Sequence, residues 1–268
     1  MLHFGKVIIV GHGLIGGSLA LDIKRLKLAD HIITYDLLNT DSVLISAVPE
    51  TDLIIFATPV EAIPDLVRTC KPHLKKHTIL MDVASTKSNL ILQLTSILGS
   101  QIDQFVFTHP IAGKAKSGYS EAEVGLFNAR PVIIIPLAET QPALLEQIRQ
   151  FWQLIGAEVT LMTDTQHDAF YGRYSHLSNL LAYVLKAQLS DADQAYSHLL
   201  PPSFKAMTRL ADSSPEMWRD ICISNQTEIL KAIHYFQSAL TQLESLIQKG
   251  DPQALLNHLH NAHANISL

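Results

Sequence analysis

Cysteine is scarce in this sequence, whose 268 residues include only Cys70 and Cys222. The two residues lie far apart and have neither the spacing of a disulfide framework nor that of a metal site. This pattern is typical of a reducing compartment, where structural disulfides are rare. We therefore expect a cytoplasmic protein with no structural disulfide and no cysteine-bound metal.

An excess of basic charge and long apolar runs are also missing. Lysine and arginine total 20 against 25 acidic residues, a formal net charge of -5, whereas nucleic-acid binders usually carry a basic stripe. No apolar run approaches the roughly 20 residues that span a bilayer. The N-terminus enters a strand pattern without the basic and apolar regions of a signal peptide. We expect neither a nucleic-acid partner nor membrane association, although a local basic pocket could still bind a small anion.

Internal repeats and low-complexity segments are absent too, while hydrophobic residues make up 47% of the chain. Over the first 162 residues, short apolar runs alternate with helical patterns, which indicates right-handed crossovers and a mostly parallel sheet. Strands are predicted at residues 6–10, 32–35, 53–57, 78–81, 105–107, 131–135 and 158–161. Helices are predicted between them at residues 19–28, 60–70, 88–98 and 141–155.

Two connections in this part differ from the usual pattern. Only residues 37–51 separate the second strand from the third, so we expect a shortened or irregular crossover helix. Residues 109–128 are predicted to form a long polar loop, and the sequence leaves open whether this loop moves as a lid.

After about Thr163 only helical patterns remain, at residues 164–189, 203–211, 215–248 and 252–266, with prolines and a glycine at the breaks. We therefore predict an α/β Rossmann-type dinucleotide-binding domain over residues 1–162 and an all-α helical domain over residues 163–268. The third of these helices carries a continuous apolar stripe. It packs against a partner subunit or within the chain, and we favour a homodimer. The stripe consists of Ile229, Ile233, Phe236, Leu240, Leu243 and Ile247.

A glycine-rich turn directly follows the first strand and opens a helix. Gly11, Gly13 and Gly16 form the G-x-G-x-x-G pattern, and Leu14 and Ile15 lie at the start of the helix. The glycines permit a tight turn, close approach to a pyrophosphate and tight packing of helix on strand. Free backbone N–H groups at the helix N-terminus then face the phosphates. The alternative is a glycine turn that binds no ligand, but this context favours a dinucleotide site.

Two further residues are candidates for the same cofactor. Asp36 ends the second strand, where an acidic side chain can accept hydrogen bonds from both adenosine ribose hydroxyls and would repel a 2'-phosphate. Thr58 closes the third strand at the same edge. The sequence thus favours NAD over NADP.

Ser85 and His109 follow two other strands at the edge where ligands bind in open α/β sheets. Ser85 could hydrogen-bond a substrate hydroxyl, the nicotinamide or His109, or it could simply cap the next helix. A histidine has an unperturbed pKa of about 6.5 and can exchange a proton near neutrality. We predict that His109 is the catalytic acid or base.

The helical part contributes candidates for substrate binding. Lys205 and Arg209 are four residues apart and share a helix face, where an arginine can hold a carboxylate through two hydrogen bonds. The alternative is a solvated helix face. His176 could face the cleft, and His167 and Asp168 could orient one another or a neighbour, or be ordinary polar helix residues. Three further histidines have poor spacing for a metal site and are read as surface residues: His258, His260 and His263.

Taken together, these motifs resemble the prephenate/arogenate dehydrogenase family of tyrosine biosynthesis, in the expected order and through most of the chain. The glycine pattern is shared by many dehydrogenases, and the later motifs are more specific. The motifs are residues 11–18 (GHGLIGGS), 82–87 (DVASTK), 109–113 (HPIAG), 167–168 (HD), 175–177 (SHL), 204–205 (FK), 208–209 (TR) and 217–220 (MWRD).

The resemblance implies an NAD(P)-binding domain, a helical domain that forms a dimer, and oxidative decarboxylation of a ring that becomes aromatic. By position, His109 would accept the proton of the ring hydroxyl, and Ser85 would bond near that hydroxyl and help to position His109. Arg209 would bind a substrate carboxylate, with Lys205 and His176 lining the site. No metal is required, because aromatisation supplies the driving force.

The sequence departs from the family pattern at two places near the substrate. Ser178 and Asn179 stand where the family commonly has Pro-His, and residues 201–203 (PPS) stand where it often has glycines. The choice between prephenate and arogenate therefore stays open. Two other hypotheses remain: a related dehydrogenase of another small carboxylate, and a dinucleotide-binding sensor that has lost catalysis.

Overall fold

The computed structural model describes residues 2–36, 41–114, 118–190 and 196–264. Within them, seven strands form a single sheet, and the predicted mostly parallel arrangement is confirmed. In chain order the strands are β1 (Phe4–Val10), β2 (Ala29–Tyr35), β3 (Leu53–Phe56), β4 (Ile79–Asp82), β5 (Phe105–Pro110), β6 (Pro131–Ile135) and β7 (Glu158–Leu161). Their order across the sheet is β2-β1-β3-β4-β5-β6-β7, and only β5 and β6 pair antiparallel.

Helices pack on both faces of this sheet, so its strands are apolar on both sides. In β1, Ile8 and Val10 belong to one apolar cluster, whereas Val7 and Ile9 belong to the other. This division arises because successive strand side chains point to opposite faces. The helices of this part are α1 (Leu14–Leu26), α2 (Asp41–Ala47), α3 (Ile63–Cys70), α4 (Ser88–Leu98) and α5 (Pro142–Ile155).

The first helix and the fifth strand differ from the predicted bounds. α1 begins at Leu14 rather than residue 19, because Gly16 and Gly17 are buried in its first turn. β5 continues past Phe107 to Pro110, so His109 lies within the strand, opposite Ile133 of β6. Pairing with β6, which the local apolar run does not reveal, extends the strand.

The two unusual connections are described in part. The crossover after β2 is short, as predicted: α2 has 7 residues and is followed by a 3-10 turn, while residues 37–40 lie outside the described residues. The polar segment after β5 begins beyond Pro110 and contains a 3-10 turn at Tyr119–Glu121. Residues 115–117 lie outside the described part, and whether the segment moves stays a prediction.

From Asp164 onward the described residues form helices and short connections, without a strand. The first helix begins with a capping box, in which Thr163 and Gln166 bond each other's backbone N–H groups. A π-helical segment, Gly172–His176, joins α6 to α7. The helices are α6 (Asp164–Tyr171), α7 (Leu177–Lys186), α8 (Pro202–Thr208), α9 (Pro215–Ser224), α10 (Gln226–Lys249) and α11 (Pro252–Ala264).

The helix predicted over residues 215–248 is wrong in one respect, since it is two helices that meet at Asn225. The backbone there leaves the helical region, with φ -113 and ψ 33. The apolar stripe of α10 is covered only at its beginning: Ile229 is 4% exposed, whereas Leu240 and Ile247 are 50% and 59% exposed. No helix in the described parts of the chain is long and apolar enough to cross a membrane.

Candidate active site

The glycine turn between β1 and α1 is shaped by close backbone contacts. A Cβ on Gly11, whose φ is +106, would lie 2.4 Å from the carbonyl oxygen of Ala57, and one on Gly16 would lie 2.0 Å from that of Gly11. A Cβ on Gly13 would meet nothing within 4 Å. Gly11 and Gly16 thus allow the turn to fold, while Gly13 keeps open space beside the uncapped N-terminus of α1, where a phosphate group is favourable.

Side chains around the turn also fit a dinucleotide. Thr58 Oγ1 is buried and has no hydrogen-bond partner among the described residues, which is unusual because buried polar groups are normally bonded. Asp36 is exposed and directly follows Tyr35, whose carbonyl accepts a 2.7 Å hydrogen bond from the Gly11 N–H. The turn therefore offers a polar group and a carboxylate for a ligand such as NAD.

The segment after β5 lies across the same turn, a contact that the sequence patterns did not predict. The rings of Tyr119 and His12 have centroids 4.0 Å apart. The Glu123 N–H donates to Ser18 Oγ over 3.0 Å. A Cβ on Gly17 would lie 2.8 Å from the Tyr119 ring. The extra glycine beside the G-x-G-x-x-G pattern is thus explained by a ring from more than 100 residues away in the chain.

His109 belongs to a line of hydrogen bonds between the sheet and α6. Its Nδ1 lies 2.7 Å from Nε2 of His167, and His167 Nδ1 lies 2.8 Å from an Asp168 carboxylate oxygen. The carboxylate accepts hydrogen bonds from the backbone N–H groups of Lys87 (2.9 Å) and Ser88 (2.7 Å). The predicted pair His167 and Asp168 therefore connects His109 to the start of α4.

Asn225 links this line to the second histidine of the helical part. Its side-chain amide donates to the Asp168 carbonyl oxygen over 2.9 Å and lies 3.2 Å from His176 Nδ1. His176 is 2% exposed, and its ring meets Trp218 edge-on. The indole N–H of Trp218 is buried without a partner among the described residues. The break between α9 and α10 thus serves to position Asn225.

A buried ion pair lies next to His109. Lys87 Nζ donates to the Asp82 carboxylate and, over 2.6 Å, to the carbonyl oxygen of Thr108. Both charged side chains are fully buried. Burial raises the pKa of Asp82 and lowers that of Lys87, and each shift is opposed by the charge of the partner. The pair fixes the ends of β4 and β5 and leaves a positive charge close to the histidine.

The buried histidines are neutral near pH 7. Burial lowers the pKa of His109 well below 6.5, and the neighbouring His167 and Lys87 lower it further. Burial also lowers the pKa of His167, although Asp168 opposes this. Burial likewise lowers the pKa of His176 to about 4. His109 can therefore accept a proton.

Ser85 takes neither of the structural roles considered for it. It makes no hydrogen bond with a described residue, and the N-cap of α4 is Lys87, so the capping alternative is wrong. His109 Nδ1 contacts His167 rather than Ser85. A contact of Ser85 with substrate or cofactor stays a prediction.

The structure does not join the predicted carboxylate-binding pair to the histidines. Lys205 and Arg209 are exposed, and neither side chain forms a hydrogen bond or ion pair with a described residue. Their segment packs against α7. In α11, His260 and His263 are exposed as predicted and His258 is half-buried, and the described residues contain no cluster suited to a metal ion.

The fold and the site define a class: a nicotinamide-dependent dehydrogenase with a sheet-based cofactor turn, a neutral buried histidine and a helical second part. Residues 22–161 match the nucleotide-binding domain of prephenate dehydrogenase, and residues 163–261 match its dimerization domain. The chain belongs to the prephenate dehydrogenase family.

Several relatives resemble the chain over nearly its whole length. The cyclohexadienyl dehydrogenase of Zymomonas mobilis is 31% identical over 96% of this chain and 94% of that protein. The crystal structure of A. aeolicus prephenate dehydrogenase with hydroxyphenyl propionate and NAD+ has a TM-score of 0.85 and 27% identity, covering 97% of this chain and 96% of the other. Synechocystis arogenate dehydrogenase has a TM-score of 0.80 and 26% identity, covering 97% and 98%.

Proposed function

We propose that this protein catalyses the oxidative decarboxylation of prephenate to 4-hydroxyphenylpyruvate with hydride transfer to NAD+, a step of tyrosine biosynthesis. The observation that carries the proposal is His109, a buried neutral histidine near the end of β5. It lies at the carboxyl edge of the sheet, the edge where the turn between β1 and α1 also lies. Membership of the prephenate dehydrogenase family supports the same substrate.

In this reaction His109 accepts the proton of the ring hydroxyl. Its Nδ1 is engaged by His167, so Nε2 is the atom available to the substrate. Gly11, Gly13, Leu14, Ile15 and Gly16 would hold the pyrophosphate side of NAD, as the open space at Gly13 and the bare helix N-terminus suit it.

Two side chains would complete the cofactor site, with Asp36 bonding the adenosine ribose and Thr58 bonding NAD through its unpartnered hydroxyl. When bound, NAD accepts a hydride from the carbon that bears the hydroxyl. Loss of carbon dioxide then leaves an aromatic ring, which makes the overall reaction favourable.

The helical part supplies the charge for an anionic substrate. Arg209 binds a carboxylate, with Lys205 and His176 lining the site and Ser85 near the ring hydroxyl. The two cations suit this role because both are exposed and neither side chain is paired with a described residue. Charge-assisted bonds of this kind are stronger than neutral ones.

We place the boundary between the cofactor domain (1–162) and the substrate and dimerisation domain (163–268) in the short link after β7. The exposed apolar side chains of α10, together with the match to a dimerization domain, support a homodimer through the helical domain. The two free cysteines support a cytoplasmic location.

Arogenate is the second candidate substrate. Asn179 stands where the family commonly has a histidine, and its amide donates a 3.1 Å hydrogen bond to the carbonyl oxygen of Ser175. A neutral amide at this place changes the wall that faces the substrate side chain, the part in which prephenate and arogenate differ. The similarity to the arogenate dehydrogenase of Synechocystis agrees with this alternative.

Absorbance of NADH at several concentrations of prephenate, and then of arogenate, tests the proposal. We expect turnover with prephenate and NAD+ to exceed turnover with arogenate, and NAD+ to be preferred over NADP+. A higher kcat/KM for arogenate would establish the alternative substrate, and a preference for NADP+ would contradict the role of Asp36. Tight NAD+ binding without turnover of either substrate would favour a sensor.

A further inference from the structure

We infer that His167 is a positioning residue that fixes the tautomer of His109, so that Nε2 of His109 is the basic atom. The inference rests on the proposed role of His109 as the base. It concerns hydrogen-bond direction along one line of groups: the start of α4, Asp168, His167 and His109.

The direction of the line is set at Asp168. Its carboxylate accepts hydrogen bonds from two backbone N–H groups at the start of α4, where the helix dipole also favours a negative charge. Burial alone would raise the pKa of Asp168, but the bonds from His167 and Ser88 outweigh it and hold the pKa below its usual value. An ionised carboxylate only accepts hydrogen bonds, so the Nδ1 atom of His167 must donate.

The state of His167 then determines that of His109. A neutral imidazole carries one proton, so a proton on Nδ1 of His167 leaves its Nε2 as an acceptor. That atom lies 2.7 Å from Nδ1 of His109, which must therefore donate. His109 accordingly carries its proton on Nδ1, and its Nε2 has a free lone pair.

The groups around the two rings preserve this arrangement. Lys87 approaches from the loop before α4 and opposes a second positive charge, while Asp82 is already bonded to Lys87 and to backbone N–H groups. His176 faces the pair from the end of the π segment and is itself neutral. The centroid of the Tyr171 ring lies 5.0 Å from that of His109 and 4.7 Å from that of His167. These contacts restrict rotation of both imidazole rings.

The same line stabilises the product of proton transfer. When Nε2 of His109 takes the substrate proton, both ring nitrogens carry hydrogen and the ring becomes cationic. His167 still accepts from Nδ1, and its own Nδ1–H still points to the Asp168 carboxylate. No proton needs to move along the line, since orientation and the nearby negative charge are sufficient.

Nitrogen-15 NMR of the cofactor-free protein tests the tautomer directly, because the two ring nitrogens of a neutral histidine have different shifts when protonated. We expect the Nδ1–H form at both His109 and His167 in the wild type. An Nε2–H form at His109 would overturn the inference. This measurement does not depend on turnover, so it stands apart from the test of the proposed function.

Two variants connect the tautomer to the rate. His167→Leu removes the acceptor and should lower kcat at least about tenfold, because loss of a partner that fixes a histidine tautomer costs roughly 10–10⁴-fold, with KM and NAD+ affinity changed little. His167→Gln keeps an amide acceptor and should recover part of the rate. His234→Gln, at an exposed histidine of α10, is the matched control and should behave as the wild type.

The pH profile separates positioning from a merely structural effect. In His167→Gln, which replaces the aromatic neighbour by an amide, the acid limb of kcat/KM should move to a different pH while thermal stability stays near that of the wild type. Loss of rate, stability and NAD+ affinity together in both His167 variants would overturn the inference. So would a kcat within twofold of the wild type in a folded His167→Leu protein.

Discussion

The cofactor turn is built from the backbone of one stretch, residues 11–17, whereas the histidine line joins side chains of β5 and α6 to backbone N–H groups at the start of α4. The turn depends on missing side-chain atoms: a Cβ at Gly16 would lie 2.0 Å from a carbonyl oxygen. The line depends on side-chain atoms that bond groups 58 and 81 positions away in the sequence. The cofactor turn thus depends on the backbone shape of residues close in sequence. The orientation of His109 depends instead on side chains that the fold brings together from distant parts of the sequence.

The largest effect is expected from filling the turn. Gly16→Ala would force its Cβ against the Gly11 carbonyl oxygen, and backbone cannot move away as a side chain can. We expect a loss of about 4 kcal/mol or more, or a fall in Tm of roughly 10 °C, and no measurable NAD+ binding. Thermal unfolding and calorimetric titration with NAD+ measure both.

Gly13→Ala is the matched control for that variant. Its Cβ would meet nothing within 4 Å, so the Tm should change by no more than about 2–3 °C, as expected for a substitution that costs less than ~1 kcal/mol. NAD+ affinity should still fall at least tenfold, because the methyl group enters the space left for phosphate. An unchanged affinity would show that the cofactor does not approach there.

The next effect concerns the other region. His109→Asn removes the proton acceptor and should lower kcat by about 10²–10⁴, while the Kd for NAD+ stays nearly the same because the turn is untouched. Steady-state kinetics and NAD+ titration of the same preparation measure the two quantities. Equal losses in both would mean that the histidine supports the fold rather than the reaction.

The smallest expected effect is a pH-dependent change in the free energy of unfolding that comes from His176, a histidine linked to the line by Asn225. His176 has a pKa of about 4 when folded and about 6.5 when unfolded, so the unfolded chain binds a proton first. Its contribution to stability is full above pH 6.5 and is lost as the pH falls toward 4, by roughly 2 kcal/mol between pH 7 and 5. Urea unfolding should show a smaller loss over this range for His176→Gln than for the wild type.

An exposed histidine of α11 provides the control for the pH experiment. His260→Gln should leave the pH dependence of urea unfolding as in the wild type, because an exposed imidazole meets similar surroundings in both states. If His176→Gln keeps the full wild-type dependence, burial of this histidine is not the source of the acid sensitivity.

Much of the fold could be predicted because its patterns are local. The bounds of α4, β6 and β7 agree with the sequence prediction, because each pattern lies between clear breaks. The sequence pattern predicts too late a start for α1 because glycines are poor helix formers. In the structure, Gly16 packs closely against Ile9 and Ala57 within the first turn of the helix. The length of β5 depends on β6, which lies more than 20 residues further on.

The candidate site could be predicted only in part. The strand pattern before His109 predicts its position at the edge of the sheet, and the consecutive residues His167 and Asp168 are a pair that could orient a neighbour. Their connection to α4 could not be predicted, because the acceptor is paired with backbone N–H groups rather than with a side chain. Asn225 could not be predicted as a site residue either, because the helical pattern over residues 215–248 continues through it and does not reveal the break there.

Because the π segment Gly172–His176 joins α6 to α7, the number of residues in this stretch determines how α7 is oriented relative to α6. At 100° per residue, the eight positions from Asp168 to His176 would place these two residues about 80° apart on a regular α-helix. A π segment takes one more residue in each hydrogen-bonded ring and rotates the later residues back by about 100°, so that the two residues lie within about 20° of one another, and Asn225 bonds both of them. A relative with one residue fewer here would keep its helix and its composition but turn α7 by about a quarter of a circle. For this stretch, an alignment gap of one residue therefore says more about the orientation of α7 than several substitutions do.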